Sequence, residues 1–169
     1  EKDTLHDVNF KLGVGERVAL VGSNGSGKTT LVKLLLRLYD VSEGEILLDG
    51  ENIKEYDLSS YRDSFGTVFQ DFKMFSLSVK DNVLLRPSDK EDDERVLNAL
   101  RESGAYARVE RMDKGIDTIL TREFDDKGEN LSGGEQQKLS LARIFADRTP
   151  FVLLDEPSSA LDPIAEYTM

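Results

Sequence analysis

The sequence of 169 residues contains no cysteine, which excludes disulfides, zinc–thiolate sites and thiol catalysis. It has a single histidine, His6, which reads as an exposed or half-buried strand residue rather than a catalytic one. Long hydrophobic runs are missing too. The longest apolar pieces are residues 18–21, 34–36 and 151–154, far short of the roughly 18 residues that a membrane span requires. Any membrane role must therefore run through a partner. Positive charge is scarce: 22 Lys and Arg stand against 33 Asp and Glu, for a net charge of −11. Proteins that bind nucleic acid draw much of their affinity from a basic face, so no nucleic-acid partner is expected. The opening Glu1-Lys2-Asp3-Thr4 lacks the apolar core of a signal peptide. No internal repeat or low-complexity tract is visible. What is present is a globular balance, 38% hydrophobic and 33% charged, in a chain long enough for one domain with a real core.

Along the chain, Leu5, Val8, Phe10 and Leu12 are spaced as one face of an extended segment, and Val14-Gly15-Glu16 reads as a turn. Arg17-Val18-Ala19-Leu20-Val21 reads as a short buried strand. A glycine-rich loop follows, then a helix over residues 29–38 with Leu31, Leu34, Leu35 and Leu38 on one side. Ile46-Leu47-Leu48 before Asp49-Gly50 predicts a strand and a turn. The middle is helical in character. Residues 89–108 form an acidic-headed helix after Pro87-Ser88, with Val96, Leu97 and Leu100 in register, and residues 131–147 form another. The acidic run from Asp89 to Glu94 is read as a solvated helix start. Phe151-Val152-Leu153-Leu154 predicts a buried strand. Strand, loop and helix at the start and a buried strand at the end imply an α/β fold with a mostly parallel sheet and a helical insertion.

Three patterns carry chemistry. Gly22-Ser23-Asn24-Gly25-Ser26-Gly27-Lys28-Thr29 satisfies G-x-x-x-x-G-K-[ST] at every fixed position, between a strand and a helix. Its glycines permit backbone angles that a side chain forbids, so loop N–H groups can converge on a phosphate at a helix N-terminus. Lys28 supplies a point charge for the β- and γ-phosphates, and the Thr29 hydroxyl can ligate Mg²⁺; Thr30 completes the candidate nucleotide contacts. At the end of the second buried strand stand Asp155 and Glu156, at the edge where α/β sheets bind ligands. Asp155 can hold Mg²⁺ through water, and Glu156 can polarise an attacking water. Taken alone, the pair also fits a solvated strand end. Finally, Ser132-Gly133-Gly134-Glu135 is an S-x-x-E capping box. Its two glycines cost roughly 1 kcal/mol each in a first turn, and a cap does not need them. They suit the close approach of a large anion, and capping and phosphate binding are compatible here.

With these residues in hand, the sequence resembles the ATP-binding domain of ABC transporters. The P-loop, Gln70 within Val68-Phe69-Gln70-Asp71, the Leu131-Ser132-Gly133-Gly134 signature, Leu153-Leu154-Asp155-Glu156-Pro157 and the D-loop-like Ser159-Ala160-Leu161-Asp162 occur in the family's order and cover nearly the whole chain. The resemblance implies a P-loop NTPase core with an N-terminal antiparallel β subdomain and an inserted helical subdomain. Within this single domain, residues 1–70 and 148–169 would be the core and 71–147 the helical, signature-bearing part. It implies ATP hydrolysis with Mg²⁺ in which Lys28, Gln70 and Glu156 are catalytic. Thr29, Gln70 and Asp155 would hold the metal. ATP would lie between the P-loop of one domain and Ser132, Gly133, Gly134 and Glu135 of a second, paired head to tail, with Asp162 crossing the interface. The partner doing transport would be a transmembrane permease domain, placing the chain on the cytoplasmic face of a membrane. Phe72, Phe75 and residues 76–83 resemble the segment that follows the glutamine in exporters, and residues 123–128 stand where exporters contact their coupling helices; the two phenylalanines also suit plain core packing.

Departures are few. Glu135 stands where the family more often has Gln, and the capping box survives the change. The family's switch histidine follows the D-loop and its adenine-stacking aromatic precedes the first strand; neither has a match here, so the chain is expected to be trimmed at both ends and to hydrolyse ATP weakly as written. Other classes compatible with the motifs are a soluble ABC-type ATPase acting in translation or on DNA, and a nucleotide-binding module that does not hydrolyse.

Overall fold

A computed structural model describes residues 5–69, 72–124 and 126–155. They fall into two compact units, Glu1–Asp63 and Ser64–Met169.

The first unit is built around α1 (Lys28–Leu35). Val32 and Leu36 are its buried residues, and Leu38 is exposed. Leu31, Leu34 and Leu35 of the expected face are half-buried, Leu38 is not part of it, and the helix stops three residues before the expected end. Arg37, at φ 50°, breaks it. The freed carbonyls at this end find side-chain donors, as helix ends require. The Tyr61 hydroxyl donates to Leu35 O at 2.6 Å, and Arg62 donates to Leu36 O at 3.1 Å and Arg37 O at 2.6 Å. Both residues belong to α2 (Leu58–Asp63). Between the helices, β1 (Leu47–Leu48) and β2 (Glu51–Asn52) pair antiparallel. Asp49 and Gly50 have φ 52° and 88°, the two positive angles that suit a tight hairpin, so the expected strand and turn are both present. The turn at residues 13–16 also forms, closed by Glu16 N–H to Gly13 O at 3.1 Å.

Among the described residues, the expected buried strand at 17–21 and the extended one at 5–12 are not assigned as strands. Neither segment is in a ladder among the described residues, and Val18, Leu20 and Val21 are exposed. The reason is physical: a strand exists through hydrogen bonds to a neighbour, and an apolar run without one has nothing to bury it.

In the second unit, β3 (Phe65–Val68) pairs parallel with β4 (Phe151–Leu154). β4 was expected to be buried, but alternate residues, Val152 and Leu154, face outward, because the described residues flank it with one strand only. Between the two strands in sequence lie α3 (Val79–Leu84), α4 (Asp93–Glu102), α5 (Tyr106–Val109) and α6 (Gly133–Asp147). Val79, Val83, Val96, Leu100, Leu120 and Leu139 form the centre of their shared core. The expected helix over 89–108 is two: Gly104, at φ 72°, ends the first, and Leu97 lies beside rather than in the core. A capping box at Asp89 and a short 3-10 turn precede α4, so the acidic run is a helix start, but it is not solvated throughout: Asp92 is buried and bonded to Arg86 at 2.6 Å. No described helix is long and apolar enough to cross a membrane.

Gly66 is where β3 meets the end of α6. A Cβ there would lie 2.6 Å from Thr149 Oγ1 and 3.4 Å from an Ile144 methyl. Gly66→Ala is expected to destabilise the protein by about 1–2 kcal/mol through overpacking, read as a lower denaturation midpoint at unchanged slope in urea.

Candidate functional site

Residues 22–27 form a loop wrapped around the Lys28 ammonium. Lys28 Nζ donates to Gly22 O at 2.9 Å and to Ser23 O at 3.2 Å. The Ser26 N–H closes a turn onto Ser23 O at 3.1 Å. Gly25 and Gly27 hold φ of 79° and 94°, angles open to glycine at no steric cost. A Cβ on Gly22 would lie 2.7 Å from Ser26 Oγ, so a larger residue here would have to push the Ser26 side chain aside. Gly27 is the N-cap of α1 and has no side chain to bond the first-turn N–H groups. The helix start is therefore left to backbone amides and one cation, the arrangement that attracts a phosphate. Thr29 is exposed at this same turn.

Asp155 follows β4 directly. Its N–H donates to Val68 O at 2.9 Å, extending the parallel ladder by one bond, and the residue is buried. In sequence, Gln70 and Glu156 each come two residues after a member of the last pair, Val68 and Leu154. Gln70, Glu156 and Asp162 lie outside the described residues, as does the D-loop-like segment at 159–162.

The signature turn is fully described. Ser132 is the N-cap of α6, and the capping box anticipated from sequence is complete. Ser132 Oγ accepts from Glu135 N–H at 3.4 Å, while Glu135 Oε2 accepts from Ser132 N–H at 2.8 Å and from its hydroxyl at 2.9 Å. Ser132 and Gly133 are exposed. Burial pushes the Glu135 carboxyl up, but the Ser132 donors and the Arg108 charge together hold it below the usual carboxylate range. Thus the turn is anchored from behind, and its glycine N–H groups can be approached from solvent.

Sequence reasoning missed three supporting residues. Asn82 is fully buried and pins residues 75–78: its Oδ1 accepts from Phe75 N–H at 2.8 Å, and its Nδ2 donates to Phe75 O, Leu77 O and Ser78 O at 2.9, 3.2 and 3.0 Å. Arg143 of α6 donates to Asn82 O at 3.0 Å and Lys73 O at 2.9 Å; burial lowers its pKa. Together they fix the segment that follows Gln70. Of the two phenylalanines there, Phe75 is exposed rather than core and Phe72 is half-buried. The third is Arg108, bonded to Glu129 and Glu135. A charged residue of each sign in the right windows was the only available signal, and it does not identify partners distant in sequence.

The chain was compared with known proteins. A model of the ABC transporter family matches residues 5–159. Relatives in Staphylococcus aureus strains NCTC 8325 and bovine RF122, each named for multidrug export as an ATP-binding/permease protein, are 44% identical over 163 residues. These alignments cover 96% of this chain and 27% of each relative, so the chain spans about a quarter of their length. Among solved structures, a bacterial Atm1-family ABC exporter with ATP bound superposes with a TM-score of 0.85 at 35% identity, over 97% of this chain and 28% of that one. The α/β fold described above is thus shared with that exporter, and the chain belongs to the ABC transporter family, as its ATP-binding domain.

Proposed function

We propose that the chain hydrolyses ATP to power movement of a substrate across a membrane by a transmembrane permease domain, fused to it or bound as a partner. The observation that carries this reading is the loop at 22–27, folded around Lys28 at a helix start with no side-chain cap. The relatives named for export, in which ATP-binding and permease parts share one chain, support the transport role. The same reading sets the chain on the cytoplasmic face of the membrane and gives it no nucleic-acid partner.

In this proposal residues 22–30 receive the phosphates. Thr29, Gln70 and Asp155 would hold Mg²⁺; a hydroxyl, a carboxamide and a carboxylate are the hard oxygen donors that this ion takes. Bound there, the metal would neutralise charge developing on the transferred phosphoryl group. Glu156 polarises the attacking water and Gln70 orients it. Two domains pair head to tail, so that Ser132, Gly133, Gly134 and Glu135 of one face the ATP held by the other, and Asp162 crosses between them. Residues 1–70 and 148–169 serve as the nucleotide core and 71–147 as the signature-bearing part. Glu156→Gln separates a hydrolase from a mere binder. In the full protein that carries this chain, the variant is expected to retain ATP in a stable pair of domains and to release almost no phosphate. Turnover equal to wild type would contradict the catalytic role of Glu156.

A further inference from the structure

The turn that opens α6 carries more charge than a capping box needs. Arg108, in the short α5, sends Nη2 to Glu129 Oε2 at 2.9 Å and Nε to Glu135 Oε1 at 3.2 Å. The other oxygen of Glu135 is the one that accepts from the Ser132 N–H and hydroxyl. One guanidinium therefore holds both carboxylates, and one of those carboxylates holds Ser132. A glutamine at 135 would cap the helix as well, since the box accepts either residue. A glutamate adds a negative charge at a helix start that, in the reading proposed above, must receive a phosphate. Uncompensated, that charge repels the ligand. With Glu129 alongside, two carboxylates flank the turn, and Arg108 is the cation bonded to both.

We propose that Arg108 is a positioning residue for the signature turn: it clamps and neutralises Glu135, so that Ser132 and the glycine N–H groups of α6 stay receptive to the phosphates of ATP held by a partner domain. This rests on the head-to-tail arrangement of the proposed function. Two geometric details support it. Arg108 takes the Glu135 oxygen that Ser132 does not use, so the clamp and the cap do not compete. When phosphate accepts the Ser132 hydroxyl, Glu135 loses one of two hydrogen bonds from Ser132, and Arg108 keeps the carboxylate in place. The three side chains are about one-third exposed (31%, 41% and 33% for Arg108, Glu129 and Glu135), so the clamp is within reach of salt screening.

The test is a double-mutant cycle on steady-state ATP hydrolysis by the full protein that carries this chain, using R108A, E135Q and the double variant, with melting temperatures taken alongside. R108A is expected to raise KM for ATP roughly fivefold, the size of an exposed ion-pair effect, with kcat nearly unchanged, and more so at low salt. Added to E135Q, the same change is expected to raise KM by less than about twofold, because the charge to be neutralised has gone. An unchanged KM in R108A overturns the proposal. So does an equal rise in both backgrounds, which a purely structural role would give. Should R108A fail to fold, R108Q keeps the length and polarity of the side chain, and the same comparison decides. A wild-type protein that turns over no ATP would bring down the proposed function and this inference together, whereas an active wild type with an indifferent Arg108 removes the inference alone.

Discussion

Replacing Lys28 by Ala is expected to cut ATP turnover by at least about 100-fold, the loss typical of deleting one preorganised charge-stabilising donor. The cause lies in the loop itself. The ammonium is held by Gly22 O and Ser23 O, which keeps the loop folded around the position where, in the proposed function, negative charge arrives. Alanine removes the sole side-chain cation of the motif and leaves those two carbonyls to water. They are exposed, so solvent can take them up and the melting temperature is expected to move little. Lys28→Arg is expected to rescue poorly. A planar fork cannot replace a compact ammonium between two carbonyls and a phosphate. Phosphate release and thermal unfolding, measured on the same preparations, separate the chemical loss from a folding defect; near-normal turnover in K28A would contradict the role.

Asn82→Ala is expected to give the largest stability loss among single changes near the site, roughly 3 kcal/mol, because the buried Asn82 amide holds backbone groups that are partly or fully buried. Its oxygen accepts from Phe75 N–H, and its two amide hydrogens are shared among Phe75 O, Leu77 O and Ser78 O, so all these contacts go at once. For a domain of this length that corresponds to a drop of roughly 6–12 °C in melting temperature. Asn82→Asp is expected to be at least as damaging, since it replaces the donating amide by a buried carboxylate facing carbonyl oxygens. The residue matters to function because residues 75–78 continue the segment that begins at Gln70. A loosened segment is expected to lower turnover even where the protein remains folded. Equal stability of wild type and N82A in chemical denaturation would show that these bonds are replaced by solvent.

How much was legible depended on whether a signal was local. The P-loop, the Asp49-Gly50 hairpin and the Ser132–Glu135 cap are each specified within a few residues by backbone freedom or a short hydrogen bond, and the structure has all three. A mostly parallel sheet was inferred as a class, but no strand was read at Phe65-Gly66-Thr67-Val68, and nothing in those residues names Phe151 as a partner. Gly66 marks the closeness of that packing, a meaning available only once Thr149 and Ile144 are placed beside it. Apolar content misled at residues 17–21 and at Leu38: hydrophobicity states that burial is favourable, whereas burial itself needs a neighbour. Helix periodicity overran Gly104, where positive φ overrides the continuing pattern on either side. Asn82, Arg143 and Arg108 act across 4 to 70 residues of sequence, and nothing in the residues themselves names such partners.

The proposed function depends throughout on residues 22–29 gripping the phosphate tail of a nucleotide. Titration calorimetry of Mg·ATP into the full protein that carries this chain, beside its K28A variant, addresses that dependence directly. Saturable heat with the wild type that is lost or greatly weakened in K28A is the expected result. Identical isotherms for the two proteins, or no binding heat from a folded wild type at any temperature tried, would contradict it.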